Sequence, residues 1–210
     1  MLSVPGEWFH DPQTNELFIV TAGHDSPPTN GLMASVVAEL VRIEGTKAAP
    51  AENIRLSSLV FRHAAPTFMR PATVPSGGDY SVYKGGAVTL SGSVNCSIDH
   101  SLFDAVGGNA VALADFNRGA QVVANEMRHL GENGVILVGS TEWVDGRGGT
   151  QPRFSNVEGN LIHHLGLYTK QSCAVLSAVA CENTIQQNIL FHGPRALINV
   201  NDVSALGDNS

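Results

Sequence analysis

Positive charge is scarce in this 210-residue chain: lysine and arginine total 12 against 19 acidic residues, for a net charge of −7. No segment gathers basic side chains into a stripe able to follow a phosphate backbone, so nucleic acid is not an expected partner. Charged residues of both signs make up only 15% of the chain. That disfavours a helical bundle, whose exposed faces need Glu, Lys and Arg. Cysteine is equally sparse. Cys96, Cys173 and Cys181 are odd in number and show no C-x-x-C spacing, so neither a zinc knuckle nor a complete disulfide framework is indicated. No run approaches the roughly 18 consecutive apolar residues of a membrane span, and "MLSVPGEW" has no basic region followed by an apolar one. As written, the chain therefore carries no export signal and is not expected to insert into a membrane. Glycine, by contrast, fills 22 positions, which together with the low charge points to a turn-rich, all-β protein.

"HSLFDAVGGNAVALADF" and "ANEMRHLGENGVILVGS" are two copies of one template, 24 residues apart. With Phe103 as anchor, equivalent apolar positions recur at Phe61, Met127, Ile162 and Leu190, at spacings of 42, 24, 35 and 28. Five residues before the anchors stand Leu56, Ile98, Val122, Val157 and Ile185. Ser101, Asn125, Asn160 and Asn188 lie two before, and Gly107, Gly131 and Gly166 four after. A unit of short strands and turns cannot bury its apolar side alone, so copies must stack along one axis. An Asn at the same bend of successive coils hydrogen-bonds to its neighbours along the stack. The expected fold is a parallel β-helix solenoid of about five coils.

These columns, with "PGEWFHDPQTNELFIV", "VRIEGT", "NIRLSSLVF", "VPSGGD", "GNAV", "GLYTKQ" and "GPRALINVND", resemble the right-handed parallel β-helix, pectin-lyase-like superfamily. The resemblance covers residues 50–210. Within it, the phrases are similar to a glycoside hydrolase group with fucosidase and xylanase activities. It implies a carbohydrate-active protein, taking a polysaccharide or oligosaccharide as partner and hydrolysing its glycosidic bonds with paired carboxylates. It also implies a secreted or cell-surface location. The alternatives are a non-catalytic carbohydrate-binding or structural solenoid, and a uronate lyase or epimerase, disfavoured because no acid cluster suited to Ca²⁺ is visible.

Residues 1–50 lack the period and are expected to form an N-terminal cap preceding the repeat domain of 51–210. Two strands flank the turn at residues 12–15. "GLMASVVAELVRIEG" has helical spacing, giving a short helix or a bend into a strand at 40–43. Five coils rising about 4.8 Å each make a stack of only about 24 Å. With "NDVSALGDNS" offering no polar cap over the last strands, the chain reads as part of a longer β-helix.

Spacings above 24 locate insertions around "RPATVPSGGDYSVYKGG" and "STEWVDGRGGTQPRF", with a shorter one in the fourth coil. Loops on a rigid scaffold are where binding groups sit. One residue after the anchors come Arg62, Asp104, Arg128, His163 and Phe191, which places Asp104 between two arginines that hold it ionised. Two after come His63, Ala105, His129, His164 and His192. Adjacent rungs rarely converge tetrahedrally, so the histidine column reads as structural stacking, with no metal or other cofactor expected. Glu126 reads as a solvated strand residue. Asp115 and Asp202 share a register but stand three coils apart, roughly 14 Å, too far to work together. Asp145, in the second long insertion, pairs better with Asp202 as acid and nucleophile or base, with Asp104 as the alternative partner. Trp143 and Tyr168 are candidate sugar platforms. Lys170, Arg195 and Asn199 are candidate hydrogen-bonding groups for hydroxyls or a carboxylate. A monomer is expected.

Overall fold

The computed structural model describes residues 2–23, 32–74, 81–140 and 146–201. It forms two compact units, Met1–Ala34 and Ser35–Ser210. In the first, Trp8–Asp11 and Glu16–Ile19 pair antiparallel across the expected turn. The second is a right-handed parallel β-helix with three sheets.

Sheet 1 runs through Val41–Glu44, Val88–Val94, Val111–Arg118, Val135–Val138, Val175–Ala178 and Ile198–Asn201. Sheet 2 stacks Arg55–Ser57, Ser97–Asp99, Gln121–Val123, Asn156–Glu158 and Thr184–Gln186. Sheet 3 stacks Val60–Arg62, Leu102–Val106, Glu126–Leu130, Leu161–His163 and Ile189–Phe191. Each coil therefore visits sheets 1, 2 and 3 in turn before climbing one rung.

The register follows the sequence columns. Phe61, Phe103, Met127, Ile162 and Leu190 are successive Cα partners in sheet 3. Leu56, Ile98, Val122, Val157 and Ile185 are partners in sheet 2. These side chains point inward and, with Leu90, Leu113 and Leu137 of sheet 1, form the core, where Phe61 stacks on Phe103 at 4.7 Å between ring centroids. At the bend between sheets 2 and 3, Asn125 Oδ1 accepts from Ser101 N, Asn160 Oδ1 from Asn125 N, and Asn188 Oδ1 from Asn160 N, at 2.9 to 3.0 Å. The side-chain amides extend the same ladder.

The glycine column is required by close approach. A Cβ on Gly131 would lie 2.0 Å from the Gly107 carbonyl oxygen, and one on Gly107 would lie 2.5 Å from Pro66 N. Both obstacles are backbone. Gly131→Ala is accordingly expected to destabilise by about 1–3 kcal/mol through overpacking, measured by urea unfolding.

The expected helix before the first rung is absent. No helical turn occurs between Leu32 and Leu40; instead the amides of Leu40 and Val41 donate to the Ala87 carbonyl, drawing the chain into sheet 1. The strand alternative was nearer, with the observed strand at Val41–Glu44. Val36 is 82% exposed, so the apolar spacing there has no packed surface to stabilise a helix of β-branched residues.

The middle strands of sheet 1 are buried on both faces. Its outward Ala112, Ile136 and Leu176 cluster with Val82, which comes from the insertion that follows the first coil. That insertion thus lies along the outside of sheet 1, and its strand-like bridge between Thr73 and Val82 carries neighbouring residues toward the bend between sheets 3 and 1.

Candidate functional site

At that bend a second polar ladder, not foreseen in the columns, fixes the backbone. Asn109 Oδ1 accepts from Asn133 N at 3.1 Å, and Asn133 Oδ1 accepts from Cys173 N at 2.8 Å. Asn109 Nδ2 donates to the carbonyls of Tyr83 and Gly85, tying the first insertion to the rungs. Between these anchors stands Glu132. Its N–H donates to Gly108 O, and its carbonyl accepts from Gly166 N.

Glu132 lines a small pocket with Thr67, Arg70, Tyr83, Asn133 and Thr169. The free volume of about 40 Å³ accommodates a few water molecules rather than a sugar ring. Thr67 is 1% exposed, and its hydroxyl stands against the Glu132 carboxyl. It reaches this place because residue 108 is glycine: a Cβ there would lie 2.2 Å from Thr67 Oγ1. Arg70 Nη1 donates weakly to Tyr83 Oη at 3.4 Å. Beside the pocket, Phe68 and Tyr168 pack tilted, ring centroids 5.6 Å apart, each about half exposed.

Glu132 is 5% exposed. Burial pushes its carboxyl up from 4.5 to about 7, opposed by the adjacent Thr67 hydroxyl, so a large share remains protonated at neutral pH. A buried, proton-bearing carboxyl facing a polar pocket is a suitable general acid. The sequence reading missed it. The one available signal was a charged residue in "GENG", directly before the fully apolar strand "VILV".

Of the candidates read from the sequence, Tyr168 and Lys170 flank pocket-lining Thr169 in the fourth-coil insertion. Lys170 Nζ donates to the carbonyls of Gly166 and Leu167, closing that loop on itself. Arg195 is exposed, and Asn199 is half-buried opposite Leu176 in sheet 1. Asp104 lies in sheet 3 with Arg62 at 3.1 Å, Arg128 at 3.2 Å and His129 Nδ1 at 2.9 Å. Its carboxyl is held below the ordinary range, first by the His129 hydrogen bond and then by Arg128 and Arg62. That makes it a fixed anion and a poor proton donor. Asp145, Asp202 and Trp143 lie outside the described residues.

Two further polar clusters stand on the surface. Lys84 Nζ meets Asp115 Oδ1 at 2.5 Å, Ser140 Oγ at 2.8 Å and Gly139 O at 3.0 Å, and Ser140 Oγ also bonds to Asp115. The predicted histidine column is present on sheet 3, with His63, His129, His164 and His192 all at left-handed φ. Among the described residues, no group of three or more His, Cys, Asp or Glu is disposed to hold a metal ion. No helix among them is long and apolar enough to cross a membrane.

No protein-family model and no curated protein matches the sequence. A solved structure described as "Glycoside hydrolase" is similar, with a TM-score of 0.76 at 15% identity over 95% of this chain. The chain spans 40% of the length of that structure. At this identity the likeness is one of fold.

Proposed function

We propose that this chain is a carbohydrate-active β-helix that cleaves a glycosidic bond with Glu132 as proton donor. The observation that carries the reading is a buried carboxyl, raised to about 7, facing a polar pocket beside an exposed aromatic pair. The description of the structurally similar protein as a glycoside hydrolase points the same way. The pocket takes the bridging oxygen and its immediate substituent, while the rings on either side lie outside it, one of them against Phe68 and Tyr168. The Thr67 hydroxyl, beside the Glu132 carboxyl, helps to orient it in the pocket.

Hydrolysis by two carboxyl groups needs a second acid. Asp145 and Asp202 are the proposed candidates, by sequence position alone; Asp104 is the third, as a permanently charged stabiliser. The resemblance to the fucosidase and xylanase group nominates fucosides and xylans as the first substrates to try.

The experiment is a panel of chromogenic fucosides, xylosides and xylo-oligosaccharides, read as released chromophore or reducing ends against pH. An acid must carry its proton, so activity should fall as pH rises through about 7. Glu132→Gln should lower kcat by about 10²–10⁴-fold and remove that alkaline limb. Asp145→Asn and Asp202→Asn identify the second group by loss of turnover. Retained activity and an unchanged pH profile in Glu132→Gln would sink the assignment. Glycan binding without turnover by the parent protein would move the reading to a binding module.

A further inference from the structure

The outer face of sheet 3 divides along its length. Arg62, Asp104, Arg128 and Glu126 form ion pairs over the first three coils. Beyond them stands a group of imidazoles that takes no part in the proposed hydrolysis. His129, His164 and His192 occupy one register in three successive coils, and His163 sits beside His164. Ring centroids are 5.6 Å apart for His129 and His164, 4.9 Å for His163 and His164, and 4.5 Å for His164 and His192.

The hydrogen-bond chain through these rings has a direction. His163 Nε2 faces the Glu126 carboxylate at 3.7 Å, which favours a proton on that nitrogen. His163 Nδ1 is then an acceptor. It lies 2.7 Å from His164 Nδ1, which must donate to it. A neutral imidazole that donates from Nδ1 presents a lone pair at Nε2. His164 Nε2 is the atom that faces His192 Nδ1, at 3.2 Å.

We infer that His164 Nε2 and His192 Nδ1 form a two-histidine site for a divalent transition metal of the Ni²⁺, Cu²⁺ or Zn²⁺ type. The geometry carries it. With metal–nitrogen bonds of about 2.05 Å, nitrogens 3.2 Å apart subtend an angle of about 100° at the metal, close to tetrahedral. The pair His163 and His164, at 2.7 Å, would subtend only about 80°, and it serves instead as the orienting contact behind the ligand. Glu126, through His163, thereby plays the part that a carboxylate plays behind a metal-binding imidazole. No proton need leave the pair, because His192 carries its own on the exposed Nε2 when Nδ1 is the ligand. Water completes the coordination. Imidazole pairs suit these three metals and not Ca²⁺ or Mg²⁺, which take oxygen ligands.

The test is calorimetric titration of the whole protein with NiCl₂, CuCl₂ or ZnCl₂ alone, with the electron paramagnetic resonance spectrum of the Cu²⁺ form as second readout. One ion per chain is expected, with nitrogen hyperfine structure from two imidazoles. His164→Asn and His192→Gln should each weaken binding by at least about tenfold. His163→Phe, which keeps a ring against Phe191, should weaken it less while both nitrogens remain in the spectrum. His63→Gln, two coils below His129, should leave binding unchanged. His164 and His192 are exposed, so the circular dichroism of the variants should match that of the parent. Absence of binding, or equal binding by the parent and both ligand variants, overturns the site. So does a loss with His63→Gln as large as with His192→Gln.

Discussion

Glu132→Gln is expected to be more stable than the parent protein at pH 8 and close to it at pH 4. The folded carboxyl holds its proton up to about 7, whereas the unfolded one releases it near 4.5. Between these values the unfolded chain is the form that has lost the proton, so the parent loses stability as pH rises and the loss is complete above about 7. The interval corresponds to about 3 kcal/mol, an upper figure because the group is not wholly shielded. Glutamine has nothing to titrate and escapes the decline. Comparing the two proteins cancels the contributions of every other titratable group, since both carry them. Urea unfolding of parent and variant at pH 4, 6 and 8 measures the difference directly. Equal stability at pH 8 would mean that Glu132 is not held protonated, which would also remove the basis for calling it an acid. A buried carboxyl proposed as the proton donor would then destabilise its own fold, a form of the trade between activity and stability.

Asn160→Ala should be the most damaging polar substitution in the solenoid. Asn160 Oδ1 accepts from both the backbone N–H and the side-chain amide of Asn125, each at 3.0 Å. Its Nδ2 donates to Val122 O at 2.9 Å and to Asn188 Oδ1 at 3.0 Å. Asn160 is 1% exposed and Asn125 is 2%, so water does not replace these bonds. Removal leaves the Asn125 N–H and the Val122 carbonyl unsatisfied, at about 1–3 kcal/mol each. A loss of about 3 kcal/mol or more is expected, read as a lower urea midpoint with an unchanged slope. Asn160→Asp separates the bonds from the packing. It keeps the acceptor and most of the volume but turns the donor that meets Asn188 Oδ1 into an acceptor. If the alanine variant unfolds at the parent's midpoint, the ladder is not a source of stability.

The columns were legible because a solenoid repeats its environment. Phe103 and Met127 meet the same neighbours one rung apart, so their shared place in the repeat translates directly into Cα pairing. Asn125 and Asn160 were readable for the same reason. Glu132 was not, because what makes it an acid comes from outside the period. Thr67 and Arg70 belong to one insertion and Thr169 to another, and neither insertion has a copy elsewhere in the chain against which to align it. Asp145 and Asp202 were read from an insertion at the edge of one register column, a rule about rungs and loops that says nothing about burial, and both lie outside the described residues. The stretch before Val41 was misread for a related reason. Its helical spacing describes residues that meet no packed surface, while the Ala87 carbonyl two coils' worth of sequence later decides the matter.

The contact made by Lys84 changes how such a stack should come apart. In a pure solenoid each coil is held only by the ones directly above and below, and the ends peel away one rung at a time. Lys84 belongs to the insertion after the first coil, yet it grips Asp115 in the third coil and Gly139 and Ser140 in the fourth. A strap of that reach makes several rungs open together or not at all. Amide hydrogen exchange should therefore report the Val88, Val111 and Val135 strands as one cooperative block rather than as a graded series running inward from the end.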